Sequence, residues 1–342
     1  MLLHFDTVPV RPGEELDAKA LARYLNGGEV VVQQFPGGHS NLTYLVCAGG
    51  EEYVLRRAPM GPLPPKAHDM AREYRMLESI HPYFHAAPKV HLLCEDPSVI
   101  GSAFFLMERR KGIILRETDS RLYDAGFTAK VSEAFIDGLI ALHAIDIERS
   151  RLNSLGKPDG FLDRQVRGWT DRWHRAETEN IAAMDRVITW LGASLPRSRS
   201  ATIVHNDYKL DNIMLKAEDS GKIEAVLDWE MTTVGDPLAD LGLTLCYWAL
   251  GSSSGRNDSP GWHSREQLLA RYAEKTGRDV SGIVYYEVLG VFKLAVILQQ
   301  IYYRFVKGQT RDERFRGFDS RVKGLIETAS ALIARSGPTK AG

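Results

Sequence analysis

Residues 205–230 read HNDYKLDNIMLKAEDSGKIEAVLDWE, and the fold reading turns on them. His205, Asp207 and Asn212 form the pattern H-x-D-x₄-N. A short apolar run (213–215) leads into a polar turn around Asp219, Ser220 and Gly221, and a second apolar run (225–227) stops at Asp228. Two short apolar runs on either side of a Ser-Gly turn predict a tight β-hairpin. Asp207 and Asn212 enter the first strand and Asp228 leaves the second, so two carboxylates and an amide oxygen are expected to converge. Hard oxygen ligands of this kind suit Mg²⁺, which takes one or two carboxylates and completes its shell with water and phosphate oxygens. Phosphoryl transfer asks for a carboxylate to accept the proton of the attacking hydroxyl, and for oxygens that hold metal on the nucleotide phosphates. Asp207 fits the first task; Asn212 and Asp228 fit the second.

HNDYKLDN, then LDWE, then GDPLADLG (235–242) resembles the aminoglycoside phosphotransferase family of small-molecule kinases. The likeness is greatest to the branch that occurs alone in bacteria or fused to acyl-CoA dehydrogenases in animals, and it runs from about residue 25 to about residue 330. It implies an α+β, protein-kinase-like fold of two lobes. Residues 1–110 would form the nucleotide-binding lobe, a small antiparallel sheet with one main helix. Residues 111–342 would form a larger, mostly helical lobe with the catalytic hairpin and the substrate site. The implied activity is ATP-dependent phosphorylation of a small-molecule hydroxyl, with ATP and Mg²⁺ as cofactors.

A chain of 342 residues is long for one compact domain, which agrees with two lobes. Its 44% hydrophobic and 25% charged residues are ordinary for a globular protein, and a net charge of −1 gives no electrostatic case for nucleic acid or an anionic membrane. Cys47, Cys94 and Cys246 lie far apart, which argues against a zinc site or disulfide framework and for a reducing compartment. The first sixteen residues lack a signal-peptide pattern, and no apolar run is expected to reach the roughly 18 residues of a membrane helix. The expected location is cytoplasmic.

From the N-terminus, a helix is expected over 13–26, then strands over 30–35, 42–48 and 51–57 joined by glycine turns. Gly37, Gly38, Ser40 and Asn41 lie between the first two strands, where kinase-like folds cover the ATP phosphates, and the family's loop has a similar G-G-x-S-N shape. On the third strand Arg56 stands where kinases carry lysine, with Arg57 facing away. Arg56 is expected to hold phosphate as a planar fork, and Glu73, on a helix over 69–80 capped by Asp69, is its candidate partner. By resemblance, the backbone from Glu108 to Arg110 is the hinge that binds adenine, with Met107 behind it. Long helical patterns follow over 130–146, 163–194, 265–276, 281–307 and 318–335. Asp236 reads as a helix cap before Pro237, and Asp240 is by resemblance the brace of the catalytic loop. His205 is assigned a structural role behind that loop, and Lys209 is placed to neutralise the phosphoryl group in flight.

The acceptor is expected on the helical lobe, among Tyr247, Trp248, Tyr285, Tyr286, Lys293, Gln299, Tyr302 and Arg304. Lys293 and Arg304 lie three helical turns apart and favour a carboxylate or CoA-type anion, hence a hydroxy acid or hydroxyacyl compound. The alternatives are an aminoglycoside or choline-like acceptor, or a nucleotide-binding pseudokinase that regulates a partner, for which Arg56 is the only support. A protein kinase is opposed by LDWE standing where D-F-G would be.

Overall fold

The computed structural model describes residues 6–36, 41–59, 69–115, 123–253, 260–310 and 312–336. Gly37, Gly38 and Ser40 of the expected phosphate loop lie outside them. The chain forms two compact units, one of residues 1–113, 214–219 and 223–232, the other of 114–213, 220–222 and 233–342. Most of the 205–230 hairpin therefore belongs with the N-terminal residues, not with 111–342 as the sequence boundary had it. A strand completes its backbone hydrogen bonds with whichever strands flank it, whatever their distance along the chain.

In the first unit, Asp17 accepts a hydrogen bond from the Ala20 amide and starts α1 (Ala18–Tyr24) five residues later than apolar spacing alone indicates. β1 (Val30–Gln34), β2 (Leu42–Ala48) and β3 (Glu51–Arg57) match their expected positions almost residue for residue. Gly49 and Gly50 carry them round with φ of +61° and +85°, a turn that a side chain would strain. After α2 (Met70–Ile80) come β4 (Val90–Cys94) and β5 (Phe104–Glu108). The sheet is antiparallel in the order β1-β2-β3-β5-β4, with Arg56 opposite Phe105, and α2 packs on β4 and β5. Leu21, Tyr44, Leu55, Phe104 and Leu106 form the core on one face. β6 (Ile113–Ile114) leads into the second unit.

From there the chain runs α3 (Ala125–His143), α4 (Phe161–Ala176), α5 (Ala182–Ala193), β7 (Thr202–Val204), β8 (Ile213–Leu215), β9 (Ile223–Val226), β10 (Thr233–Gly235), α6 (Pro237–Ser253), α7 (Arg265–Thr276), α8 (Ile283–Val306) and α9 (Phe318–Arg335), all in the second unit except β9 and residues 214–215 of β8, which belong to the first. α8 is long and apolar enough by composition to cross a membrane, which corrects the expectation that no run is; its scattered polar residues interrupt the apolar sequence without lowering its average below that of a spanning helix. Its apolar window is 78% buried and packs on α4, α6 and α9, so its hydrophobicity serves the protein core.

α6 and α8 approach closely at two glycines. A Cβ on Gly242 would meet the Tyr286 backbone at 2.6 Å, and one on Gly290 would meet the Leu243 Cα at 3.0 Å. Gly242→Ala is expected to cost about 1–3 kcal/mol through overpacking, read as a lower denaturant midpoint with unchanged slope. An unchanged midpoint would show that the two helices part freely.

Candidate active site

In the second unit, β7 ends at Val204 and the loop after it turns at Asn206, whose φ is +65°. Asn tolerates this left-handed conformation better than most residues, and the Asp207 amide beyond the turn donates to Nδ1 of the buried His205 at 3.3 Å. Asp240 holds the loop from behind. Its Oδ2 accepts from the His205 amide at 2.6 Å and its Oδ1 from the Asn206 amide at 2.8 Å. His143 Nε2 lies 3.2 Å from the same carboxylate, with the Tyr272 hydroxyl at the other ring nitrogen. Burial by itself would raise the Asp240 carboxyl, but His143 and the His205 amide outweigh it and hold it below the usual range.

The Asp207 carboxylate is gripped on all sides. Tyr247 donates to Oδ1 at 2.6 Å, and the Asn212 amide nitrogen donates to Oδ2 at 2.9 Å. Lys209 Nζ sits 2.9 Å from Oδ2 and 5.2 Å from the Tyr247 ring centroid. With its nitrogen turned to Asp207, Asn212 keeps its carbonyl oxygen for another ligand. Asp240, Thr244 and Tyr247 fall at i, i+4 and i+7, one face of α6. They meet the loop at the His205 and Asn206 amides, the Tyr208 carbonyl and the Asp207 carboxylate. Tyr247→Phe is expected to lower kcat about tenfold while leaving the KM for nucleotide unchanged, since a hydrogen bond to a charged group is worth about 1.5–3 kcal/mol. Steady-state kinetics check it.

In the first unit, Trp229 anchors the turn after β9. It is 1% exposed, its indole nitrogen donates to the Val226 carbonyl at 2.7 Å, and its ring meets Phe84 edge-on. With Trp229 pinned, Asp228 takes φ +67° and its carboxylate reaches Arg56 Nη2 at 3.1 Å. Arg56 Nε is 3.2 Å from Glu73 Oε1, a charge contact without good hydrogen-bond alignment. Asn41 donates to the Glu230 side chain at 2.9 Å, and Arg72 binds the Glu230 and Thr232 carbonyls. Arg56 and Arg72 face Asp228, Glu230 and Glu73, whose carboxyl burial pushes up to about 7. Among the described residues no group of three His, Cys, Asp or Glu side chains forms a ready-made metal cage. Mg²⁺, which relies on phosphates and water, does not require one.

At the expected hinge, the Glu108 amide donates to the Lys89 carbonyl at 2.8 Å, which removes that donor from the adenine set. Arg110 is held by Glu108 at 2.7 Å, Glu224 at 3.1 Å and the His85 carbonyl. Arg57 faces into the core, donating to the Ile100 carbonyl at 2.8 Å.

Residues 31–279 match the phosphotransferase enzyme family. The chain belongs to that family. It is a phosphotransferase with a hydroxyl acceptor and a two-lobed α+β fold. The chain is 32% identical over 348 residues to mouse acyl-CoA dehydrogenase family member 10, and 33% over 351 residues to rat member 11. In each case 97% of this chain is covered, but it spans only 32% and 45% of those proteins. A Ralstonia eutropha crystal structure, named as that of a candidate aminoglycoside phosphotransferase, superposes with a TM-score of 0.82 at 28% identity, over 94% of this chain and 99% of the other. The aminoglycoside phosphotransferase APH(4)-Ia, in a ternary complex with AMP-PNP and hygromycin B, shares the fold with a TM-score of 0.60 at 16% identity, over 93% and 100%.

Several members of the expected acceptor pocket of this phosphotransferase are core residues instead. Tyr285 and Tyr286 donate to the Leu191 carbonyl and to Asp236, Trp248 to the His263 carbonyl, and Gln299 to the Ala176 carbonyl. Each polar tip finds a buried partner, which is what lets these side chains pack inside. Arg304 is exposed near the end of α8 while Lys293 is 5% exposed, so shared periodicity does not give them one environment. Sequence reasoning had no role for Arg72, and it left Tyr247 as a pocket aromatic. The spacing of Tyr247 from Asp240 along α6 was the signal available for it.

Proposed function

We propose that this chain transfers the γ-phosphoryl group of Mg²⁺-bound ATP to the hydroxyl of a small hydroxy acid or hydroxyacyl compound in the cytoplasm. The observation that carries the transfer is the Asp207 carboxylate, held by Tyr247, Asn212 and Lys209 on a loop braced by Asp240. Asp207 orients the acceptor hydroxyl and takes its proton as the O–P bond forms. Lys209 offers charge to the phosphoryl oxygens. In the other unit Arg56, braced by Glu73, and Asn41 with the Gly37, Gly38 and Ser40 backbone serve the phosphates. The Asn212 carbonyl oxygen and the Asp228 carboxylate would hold Mg²⁺, which when bound neutralises charge on the phosphates. The backbone from Glu108 to Arg110, apart from the Glu108 amide, serves adenine. Alignment of hydroxyl and phosphoryl group supplies most of the acceleration.

ATP is the nucleotide read from the sequence resemblance, and the APH(4)-Ia structure of this fold carries its analogue AMP-PNP, although another aminoglycoside phosphotransferase of the fold carries GDP. The acceptor class is favoured by two observations. The animal relatives are named as acyl-CoA dehydrogenases, and α8 carries one acidic residue, Glu287, already paired with Arg265 at 2.6 Å, where a polycationic aminoglycoside would want several. The three described cysteines are free thiols, which favours the cytoplasm.

The test is Mg²⁺-dependent ATP turnover against hydroxy acids and their CoA esters, choline-like amines, sugars and aminoglycosides. Stimulation by the first class is expected; stimulation by aminoglycosides with none by hydroxy acids overturns the acceptor assignment. Saturable nucleotide binding with no turnover on any acceptor points instead to the pseudokinase.

A further inference from the structure

We propose that the recess in the second unit beside Lys293 seats a carboxylate of the phosphate acceptor, with Lys293 as its counter-ion and the residue that selects for it. This assignment rests on the hydroxyl-acceptor reading above and names the group that the acceptor carries besides its hydroxyl. The recess is lined by Phe161, Gln165, Trp169, Asn206 and Lys293, with the α6 and α8 backbones behind them at Ala239 and Gly290. The enclosed part of the recess is small, about 20 Å³, room for a carboxylate head but not for a whole acceptor, and the space at its mouth is open to solvent.

Lys293 is the anomaly in this wall. It is 5% exposed, and its ammonium donates to the Asn206 carbonyl at 2.7 Å. Its other neighbour is the Trp169 ring, with the centroid 5.5 Å away. An ammonium has three N–H donors, and among the described residues no carboxylate lies within ion-pair distance of this one. Burying a cation without a counter-ion is costly, and a side chain as flexible as lysine could otherwise carry its charge to water. The cost is visible in its acidity. Burial pushes the Lys293 amine down to about 8, against the more distant pull of Asp207 and Asp240, while Arg172 and Lys209 push it the same way as burial.

Arg172, which stacks on the Trp169 ring at 4.5 Å, and Lys209 make the surroundings more positive still. An arriving carboxylate relieves both the desolvation and the mutual repulsion of these cations; an arriving ammonium worsens them. The aromatic walls suit an aliphatic spacer. The Asn206 carbonyl that accepts from the Lys293 ammonium belongs to the residue directly before Asp207, which ties the carboxylate anchor to the catalytic loop.

The test uses the full-length protein with 2-, 3- and 4-hydroxybutyrate and the neutral amides of the same compounds, comparing wild type, Lys293→Met and Lys293→Arg. Lys293→Met is expected to raise the KM for the acids about 30-fold or more, as loss of one partner of a buried charge pair does, and to leave the amides within about threefold. Lys293→Arg should recover part of the loss. An equal effect on acid and amide, or a fall in kcat alone, overturns the assignment and makes Lys293 only a brace of the Asn206 turn. A second measurement needs no turnover. Butyrate and butyramide, which lack the reacting hydroxyl, are titrated into wild type by ligand-observed NMR, with Lys293→Met as control. Butyrate binding that the variant loses, with butyramide weaker, supports the site even if no hydroxybutyrate is phosphorylated, in which case it is the acceptor class that fails. Equal binding of the two, or none of butyrate, overturns the site whatever the kinase does.

Discussion

Asp207→Asn is expected to lower kcat by two to four orders of magnitude while nucleotide binding stays within a few-fold of wild type. The substitution keeps the shape of the side chain and removes its capacity to take a proton, and general base catalysis is worth about 10²–10⁴ in rate. The environment makes this a clean experiment. Asp207 is held by three donating side chains, and the loop beneath it by two backbone amides on Asp240, so an asparagine keeps its place by turning its carbonyl oxygen to Lys209 and Asn212 and its NH₂ to the Tyr247 hydroxyl oxygen, which can accept. Single-turnover kinetics with saturating nucleotide isolate the chemical step. A loss below tenfold would mean that Asp207 only positions the acceptor, and the proton leaves by another route.

Arg56→Ala is expected to be the most damaging change in the first unit, costing about 3–5 kcal/mol, because it leaves the Glu73 carboxylate buried without its cation. The loss should depend on pH. Burial already pushes the Glu73 carboxyl up to about 7 in spite of Arg56, from an ordinary value of 4.5. Between those values the folded chain holds a proton that the unfolded chain has released, so this group's contribution to stability is present at pH 4 and is lost as pH rises through 7. Without Arg56 the carboxyl rises further, and the penalty is larger at pH 8 than at pH 6. Chemical denaturation of the variant at the two pH values, with the double change Arg56→Ala, Glu73→Gln recovering part of the loss, checks the assignment. Equal penalties at both pH values, or no rescue, would contradict it.

The elements that could be read from sequence are those whose signals are local. β1 to β3 were legible because apolar alternation, β-branched residues and the Gly49-Gly50 turn all fall within 28 residues. α7 and α9 were legible to the residue, each from one amphipathic pattern. The H-x-D-x₄-N spacing exposed Asp207 and Asn212 for the same reason. What stayed hidden depends on partners remote in sequence. Arg72 binds backbone carbonyls about 160 residues away, and a carbonyl leaves no mark in a sequence. Tyr247 needs the helix register set by Asp240 and also the position of a loop 40 residues earlier. The aromatics of α8 look alike in composition, and only packing separates Tyr286, bonded to Asp236, from a wall of the recess. Lys293 is the sharpest case, since nothing in the run VFKLAVILQQ reveals that its ammonium is turned inward onto a strained turn.

The most direct test is the chemical identity of the phosphorylated product. A hydroxy acid offers two nucleophiles, a hydroxyl and a carboxylate, and the account assigns the first to Asp207 and the second to Lys293. Incubation with ATP, Mg²⁺ and a hydroxybutyrate, followed by ³¹P NMR before and after hydroxylamine, separates them. A phosphomonoester that survives hydroxylamine, and is absent with Asp207→Asn, is the predicted result. An acyl phosphate destroyed by hydroxylamine, or ADP formed with no phosphorylated acceptor, would contradict it.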